Sequence, residues 1–190
     1  MPVSQIVTNS IANDAVTTVD IADLAVTPAK MSQKLTSDTA KTATSTSVDF
    51  TGIPSWAKRI TVMFSSVSTN GSSSIQIQLG DSGGIETTGY LASGALLRDG
   101  LVAAVSNSTT GFVIGSIAAA NVMNGSMVLS LIDASTNNWS ASSNFANSNT
   151  ATMTVGAGSK SLSATLDRLR ITTVNGTDAF DLGTINILYE

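Results

Sequence analysis

The sequence predicts an all-β protein, a jelly-roll-like β-sandwich preceded by an extended, fibre-like trimerisation segment. Charged residues make up only 12% of the 190-residue chain, against 42% hydrophobic residues. The abundance of Ser, Thr, Val and Asn favours strands and turns over helices. Short stretches in which apolar and polar residues alternate recur from about residue 48 onward. Before them a ten-residue pattern repeats, which is typical of fibrous segments.

The ten-residue repeat occupies the first part of the chain. Ile11, Ile21 and Met31 stand ten residues apart, and the Ala-Val-Thr of 15–17 returns at 25–27. Two or three copies are too few for a self-sufficient solenoid, so another surface must cover the apolar face of each unit. We expect that surface to be the same segment of sister chains, wound about a common axis in a homotrimer.

The apolar residues of this segment are too numerous for a solvated tail. Pro28 would end a helix near Thr27, and Val, Ile and Thr are mediocre helix formers, so extended structure interrupted by turns is favoured. We predict that the segment both trimerises and attaches the protein to a partner. The predicted contacts are Ile6, Val7, Ile11, Val16, Ile21, Leu24 and Val26.

The next stretch, residues 33–47, has almost no large apolar side chain and is rich in Thr and Ser. Such low-complexity composition indicates a linker or an extended surface strap. We therefore divide the chain into an attachment segment with its linker, 1–47, and a jelly-roll-like knob, 48–190.

The first strands of the knob follow from period-two alternation. Apolar residues alternate with their neighbours over 60–64 and again over 75–79, as in strands that are buried on one face. Asn70-Gly71 between them is the strongest short-range hairpin signal. The two strands are therefore predicted to form a hairpin.

Further strand-like stretches are separated by turn signals at Asp99-Gly100, Asn124-Gly125 and Asn175-Gly176. The last stretch should be structural and central, because unpaired chain ends fray. No long helical pattern interrupts the series, although 117–123 could hold one helical turn. Regular spacing of short strands predicts a sandwich or jelly roll. The stretches are 101–105, 110–114, 126–132, 138–141, 150–155, 165–173 and 184–189.

Composition excludes several classes of function. The chain contains neither Cys nor His, so disulfides, thiol nucleophiles, Cys/His metal sites and imidazole-dependent triads are excluded. The net charge is −4 and the nine Lys and Arg residues are scattered, which argues against nucleic-acid binding. No apolar run is long enough to span a membrane, and no secretory signal is visible. We expect no cofactor, no metal and no enzymatic activity.

Two aromatic residues are candidates for sugar stacking. Trp56 precedes a strong strand, and we favour a packing role for it over a glycan contact. Trp139 lies in a polar, turn-rich context, with Asn137 and Asn138 as hydrogen-bonding neighbours. Asn137, Asn138 and Trp139 are therefore the predicted glycan contact, with packing of Trp139 as the alternative.

A few charged residues invite other interpretations. Asp81 and Glu86 could supply oxygen ligands to Ca²⁺ or form a glycosidase pair, but the carboxylate density is low and a plain turn is favoured. Asp167, Arg168 and Arg170 alternate around apolar residues on one strand. They are expected to form cross-strand or intersubunit salt bridges.

Several segments resemble the fibre proteins of tailed bacteriophages. The stretch from Phe50 to Phe64, with Gly52-Ile53-Pro54-Ser55-Trp56 near its start, is similar to a segment common in tail-fibre proteins. Residues 166–171 and 180–187 resemble the C-terminal portion of the same group, and 14–30 resembles short repeats of phage fibre shafts. The resemblance covers most of the chain from Phe50.

The resemblance implies a trimeric, non-enzymatic component of the virion surface, made in the cytoplasm of the bacterial host. Host-reaching fibres have much longer shafts, whereas the repeated part and linker here span under fifty residues. This favours a capsid decoration (cement) or short head-fibre protein bound to the major capsid protein or another virion protein. A tail-fibre or tail-tip subunit that binds host-surface glycan is the alternative, and a polysaccharide depolymerase is a more remote one.

Overall fold

The computed structural model describes residues 35–100, 103–115 and 118–190. Within these ranges the chain is all β and contains no helix, which confirms the all-β part of the prediction. The predicted attachment residues, from Ile6 to Val26, lie outside the described residues. The strands are β1 (Thr36–Ser37), β2 (Lys41–Thr42), β3 (Ser47–Thr51), β4 (Arg59–Thr69), β5 (Ile75–Asp81), β6 (Gly84–Ile85), β7 (Leu91–Arg98), β8 (Ala104–Ser108), β9 (Phe112–Ile114), β10 (Met123–Asp133), β11 (Asn138–Asn147), β12 (Thr152–Ser161), β13 (Arg168–Thr173) and β14 (Phe180–Tyr189).

The strands form two antiparallel sheets, an arrangement consistent with a β-sandwich. In the described residues, the larger sheet has nine strands in the order β1-β14-β4-β10-β11-β12-β7-β8, with β2 also paired to β14. The smaller sheet has five strands in the order β3-β13-β5-β6, with β9 also paired to β5. The last strand, β14, is hydrogen-bonded on both sides.

One hydrophobic core contains the inner-face residues of both sheets. In the smaller sheet, Leu169 and Ile171 of β13 are buried beside Ile77 and Leu79 of β5. In the larger sheet, every second residue is buried along β11, over 60–64 of β4 and at 127 and 129 of β10. Phe64 contacts Phe145 at a ring-centroid distance of 5.0 Å. Period-two alternation therefore sets which face of each strand enters the core.

The predicted hairpin at Asn70-Gly71 is wrong. β4 pairs with β10 and β14 in the larger sheet, whereas β5 pairs with β13, β6 and β9 in the smaller one. The connection between them is tied instead to a distant loop, since Asn70 Oδ1 accepts a hydrogen bond from Ala179 N at 2.9 Å. The apolar side chains of β4 and β5 are buried in the core from different sheets. This burial outweighs the local turn preference of Asn-Gly.

Other turn signals have mixed outcomes. Asp99-Gly100 and Asn175-Gly176 lie at turns as predicted, whereas Asn124-Gly125 lies within β10. Gly125 has a φ of 144° and adjoins an irregularity in the pairing of β10 with β4. Asn124 Oδ1 accepts a hydrogen bond from Ser66 N at 2.8 Å. The dipeptide therefore accommodates a bulge inside a long strand.

The stretch predicted as a linker or strap contributes to the sheet. Thr36 and Ser37 pair with Tyr189 and Leu188, and β2 pairs with β14 farther along the same edge. Ala43 is fully buried. The compact unit accordingly extends from Thr36 to Glu190, so it includes residues before the boundary predicted at 47/48.

Gly183 lies at a position of this fold where any larger residue should be destabilising. Its φ is +95°, and a Cβ there would overlap the backbone of Ser66 on the paired strand β4. Gly183→Ala should lower the free energy of unfolding by about 3–5 kcal/mol, through left-handed strain and overpacking together. Gly176→Ala is the matched control, because its φ is +68° but nothing lies near the added methyl group. It should lose only about 1–2 kcal/mol. Urea denaturation measures the free energy of unfolding of both variants. Equal losses would contradict the expected overlap with the Ser66 backbone.

Candidate functional site

The two carboxylates put forward from the sequence lie in one polar cluster. Asp81 ends β5, and its Oδ2 accepts a hydrogen bond from Ser163 Oγ at 2.6 Å while Oδ1 accepts one from Gly83 N at 2.7 Å. Glu86 follows β6, and its Oε1 accepts a hydrogen bond from Ser163 N at 2.7 Å. Ser163 therefore bridges the two carboxylates.

Lys160 completes this carboxylate cluster from the larger sheet. It lies on β12, its side chain is almost fully buried, and its Nζ forms an ion pair with Glu86 Oε2 at 2.5 Å. The same ammonium group lies 5.5 Å from the centroid of the Tyr90 ring. Burial of both charges without this pairing would be costly, so the pair fixes the loop after β6 against the larger sheet.

Tyr90 is fully buried beside the cluster. Its hydroxyl accepts a hydrogen bond from Leu79 N at 2.6 Å and donates one to the Glu86 carbonyl at 3.0 Å. Burial raises the pKa of the phenol well above its ordinary value. The ring also meets Phe112 edge-on at 5.1 Å, so the hydroxyl and the ring are both used in packing.

The hydrogen bonds of the cluster determine its protonation state. The Ser163 hydroxyl is the main cause that lowers the pKa of Asp81 below its ordinary value of 3.8. Burial alone would raise the pKa of Glu86, but the hydrogen bonds from Lys160 and Ser163 outweigh it and lower the pKa below 4.5. Both groups stay ionised at neutral pH, whereas a glycosidase acid must hold its proton there. The geometry therefore favours a structural role for Asp81 and Glu86.

The calcium interpretation gains no support from the same geometry. The hydrogen bonds to Asp81 and Glu86 occupy oxygens that a cation would need. In the ranges that the structure describes, no group of three or more carboxylate-bearing residues is arranged to hold a metal ion.

The predicted glycan contact at Asn137, Asn138 and Trp139 does not fit the structure. Trp139 lies on β11 and is only 3% exposed, so its ring belongs to the core and offers no face to a sugar. Asn137 adopts a left-handed conformation with a φ of 49°, and its carbonyl accepts a hydrogen bond from Leu162 N at 3.1 Å. Asn138 begins β11 and is half-buried. The polar context of these residues reflects the β10–β11 turn.

The exposed indole is that of Trp56, for which packing was favoured. Trp56 is 40% exposed and lies on the ring of Tyr189 at a centroid distance of 5.6 Å. An exposed ion pair between Arg59 and Glu190, 3.1 Å long, is formed in the same part of the fold. The burial of each indole depends on long-range sheet pairing. The residues next to Trp56 and Trp139 in sequence therefore do not reveal which of the two is exposed.

Both arginines of β13 form salt bridges, of which one is the expected cross-strand pair and the other joins neighbours in sequence. Arg170 binds Asp49 of the neighbouring strand β3 through two parallel contacts of 2.8 and 2.7 Å, which is a cross-strand pair in register. Arg168 binds Asp167, its neighbour in sequence, in the same two-contact manner at 2.6 and 3.1 Å. The guanidinium groups are therefore neutralised within the sheet.

The outer face of the larger sheet carries a surface that sequence reasoning missed. β7 escaped prediction because its alternation is carried partly by Ala and Gly. In the register of the sheet, Leu97 lies opposite Met153, and Ala95 lies between Val105 and Val155. Residues directly opposite each other share a face. We call this set, with Leu91 at its end, the apolar face; it consists of Leu91, Ala95, Leu97, Val105, Met153 and Val155.

The apolar face ends at a sheet edge. Leu91 is 75% exposed and Val105 is 68% exposed, and Leu97 and Met153 are exposed as well. β8 is paired only with β7 among the described strands, and it contains no charged residue and no Pro. Natural edge strands normally carry Lys, Pro or a bulge that prevents further pairing. An unprotected edge beside exposed aliphatic side chains favours association.

The carboxylate cluster makes stability depend on pH. Asp81 and Glu86 have pKa values below those of an unfolded chain, so their contribution is complete above about pH 5 and is lost as the pH falls through the lowered values. Asp81→Asn should flatten the acid limb of a plot of unfolding free energy against pH. Asp99→Asn, which removes an exposed charge at a turn, is the control. A parallel acid limb for wild type and Asp81→Asn would show that the cluster does not stabilise the fold.

A scan of protein-family models and searches of curated proteins and solved structures found no match to this chain. Within the described ranges, no helix is long and apolar enough to cross a membrane.

Proposed function

We propose that this protein is a structural component of a tailed-bacteriophage virion, a trimeric capsid decoration or short head-fibre protein. The segment 1–47 attaches it to the major capsid protein or another virion protein, and the jelly-roll-like knob lies on the particle surface. Its action is mechanical and requires no cofactor. The alternative is that the same architecture serves as a tail-fibre or tail-tip subunit.

The observation that carries this proposal is the apolar face beside the unprotected β8 edge. A soluble monomer rarely exposes contiguous aliphatic side chains, and such a patch usually marks a protein–protein contact. Complete burial of one Leu or Val side chain contributes about 1.5–3 kcal/mol. Covering Leu91, Leu97 and Val105 together would therefore contribute substantially to an assembly.

The remainder of the same outer face also suits close contact. On β11, the residues Ser140, Ser142 and Asn144 lie opposite Ser130, Val128 and Ser126 of β10, and none of the six is charged. A neutral hydroxyl-rich surface carries a smaller desolvation penalty than a charged one when another protein covers it. Low charge content thus favours a subunit that is packed among others.

The repeat supports attachment by several weak contacts at once. Each chain contributes Ile11 and Ile21 at equivalent positions of successive repeats. Three chains would present three such segments, and binding of one segment raises the effective concentration of the others at the particle. Trivalency therefore gives durable attachment without disulfides, which this chain cannot form.

The first test concerns the repeat. The full chain should sediment as a trimer of the 19.4 kDa polypeptide. Ile21→Asp should shift it to monomers, because a charge placed among buried apolar side chains has no partner. Thr18→Asp, the same charge between the apolar positions of the repeat, should leave the trimer intact. A folded wild-type monomer at all concentrations in analytical ultracentrifugation would defeat the proposal.

The second test concerns the apolar face. Val105→Asp should weaken association between chains, or between chain and particle, by about tenfold or more. Loss of one buried Val side chain costs about 1.5–3 kcal/mol, and about 1.4 kcal/mol corresponds to a factor of ten in affinity. Ser142→Asp places the same charge on the same outer face, over β11, and should have a smaller effect. Sedimentation equilibrium and co-sedimentation with particles lacking the protein measure both. Equal affinities for Val105→Asp and wild type would exclude this face from the interface.

A further inference from the structure

The outer face of the smaller sheet carries a second surface with different chemistry. Because Leu169 and Ile171 of β13 point into the core, the residues between and beside them point outward. The register places Ser47, Thr172 and Gln76 in one row and Asp49, Arg170 and Gln78 in the next. Successive rows are about 6.8 Å apart. This face is therefore a ladder of hydroxyl, amide and guanidinium groups.

Loops from other parts of the chain turn this ladder into a groove. Two adjoining concavities of about 460 and 310 Å³ share Thr87 and Arg170 in their walls. Thr110 and Asn175 border the first, and Arg168 borders the second. Among the residues that the structure describes, no aromatic side chain lines either part. We call the two together the polar groove.

Two glutamine side chains at the base of the polar groove are held in fixed orientations. Gln76 is 3% exposed and Gln78 is 5% exposed. Thr110 binds both: its hydroxyl donates to Gln76 Oε1 at 3.0 Å, and its carbonyl accepts from Gln78 Nε2 at 2.8 Å. Gly111 makes room for this arrangement, because a Cβ there would lie 2.7 Å from Gln76 Oε1.

The opposite ends of these two amides are open. Within the described residues, Gln76 Nε2 donates to no protein group and Gln78 Oε1 accepts from none, and neither atom is sealed from solvent. A buried amide that keeps one free donor or acceptor towards a groove can recognise a ligand that supplies the missing partner. One row of the ladder therefore offers a free donor and the next row a free acceptor. This suits a ligand with several hydroxyl groups, since a hydroxyl both accepts and donates.

The charges of the polar groove cancel one another. Arg170 is paired with Asp49, and Arg168 is paired with Asp167. These four groups sum to zero charge, and each guanidinium group retains N–H donors beyond those given to its carboxylate. Phosphate or sulfate recognition relies on uncompensated basic groups, so an anionic ligand is disfavoured. The groove suits a neutral ligand with many hydroxyl groups.

We infer that the polar groove binds an uncharged stretch of polysaccharide, with Gln76 Nε2 and Gln78 Oε1 as the specific contacts to sugar hydroxyls. Peptides are recognised through apolar pockets or by pairing with a free strand edge. Both glutamines of the groove lie instead on β5, which like β13 is already paired on both sides, and the edge strand β3 lines the groove with the polar residues Ser47, Asp49 and Thr51. The inference does not depend on the proposed trimer or on its attachment to a particle.

The test is a titration of the ¹⁵N-labelled full chain followed by NMR of the glutamine side-chain amides. The probes are chitohexaose, maltohexaose and cellohexaose, with a heparin hexasaccharide and a Ser/Thr-rich hexapeptide as comparisons. At least one neutral sugar should shift the Gln76 and Gln78 signals with a Kd of about 1 mM or lower. Shifts induced only by heparin or only by the peptide, or no shift with any probe, would overturn the inference.

Variants locate the contact independently. Gln78→Met keeps the side-chain length but removes the free acceptor, together with the Nε2 donor to Thr110, and it should weaken sugar binding about tenfold or more. Asn144→Ala is a control that removes a side-chain amide from the other sheet. Trp56→Ala is a second control that removes the exposed indole. Both variants should bind the sugar like wild type. Loss of binding in Trp56→Ala with retention in Gln78→Met would transfer the site to the indole. If Gln78→Met does not fold, as judged by circular dichroism, the wild-type titration decides the question.

Discussion

Period-two burial of β13 between β3 and β5 is the constraint on which the smaller sheet depends. Leu169 and Ile171 enter the core, so Arg168, Arg170 and Thr172 must face outward. A slip of one residue in register would place two arginines in the core and two apolar side chains on the surface, at a prohibitive cost. The pattern that builds the core therefore also builds the polar groove.

The outer faces of the two sheets differ in how far they are covered and in which side chains they expose. The smaller sheet covers its outer face with Thr87, Thr110 and neighbouring loop residues, and it pairs every charge that it exposes there. The larger sheet leaves its outer face open. Over β10 and β11 that face is neutral and hydroxyl-rich, but over β12, β7 and β8 it is aliphatic, as at Leu97 and Val105. This difference in composition along one face is what a dedicated contact region requires.

The sequence predicted the all-β class and most of the strands, because alternation is a local signal, as in 60–64 and 75–79. It failed where the outcome depended on distant partners. The Asn70-Gly71 signal was overridden by strand pairings in different sheets, and the burial of Trp139 depends on sheet packing that no neighbouring residue reveals. The polar groove was beyond reach for the same reason, since Thr110 orients Gln76 and Gln78 across more than thirty residues of chain.

The two candidate surfaces lie on opposite outer faces of the two-layered fold, so use of one does not block the other. A chain that associates through Leu97 and Val105 would keep Gln76 and Gln78 accessible. The proposed ligand would be held by hydrogen bonds, whose net contribution is about 0.5–1.5 kcal/mol each, so a single groove would bind it weakly. Weak sites become effective when assembly presents many of them together. In the proposed assembly, the apolar face would therefore supply the copy number that the polar groove needs to bind its ligand effectively.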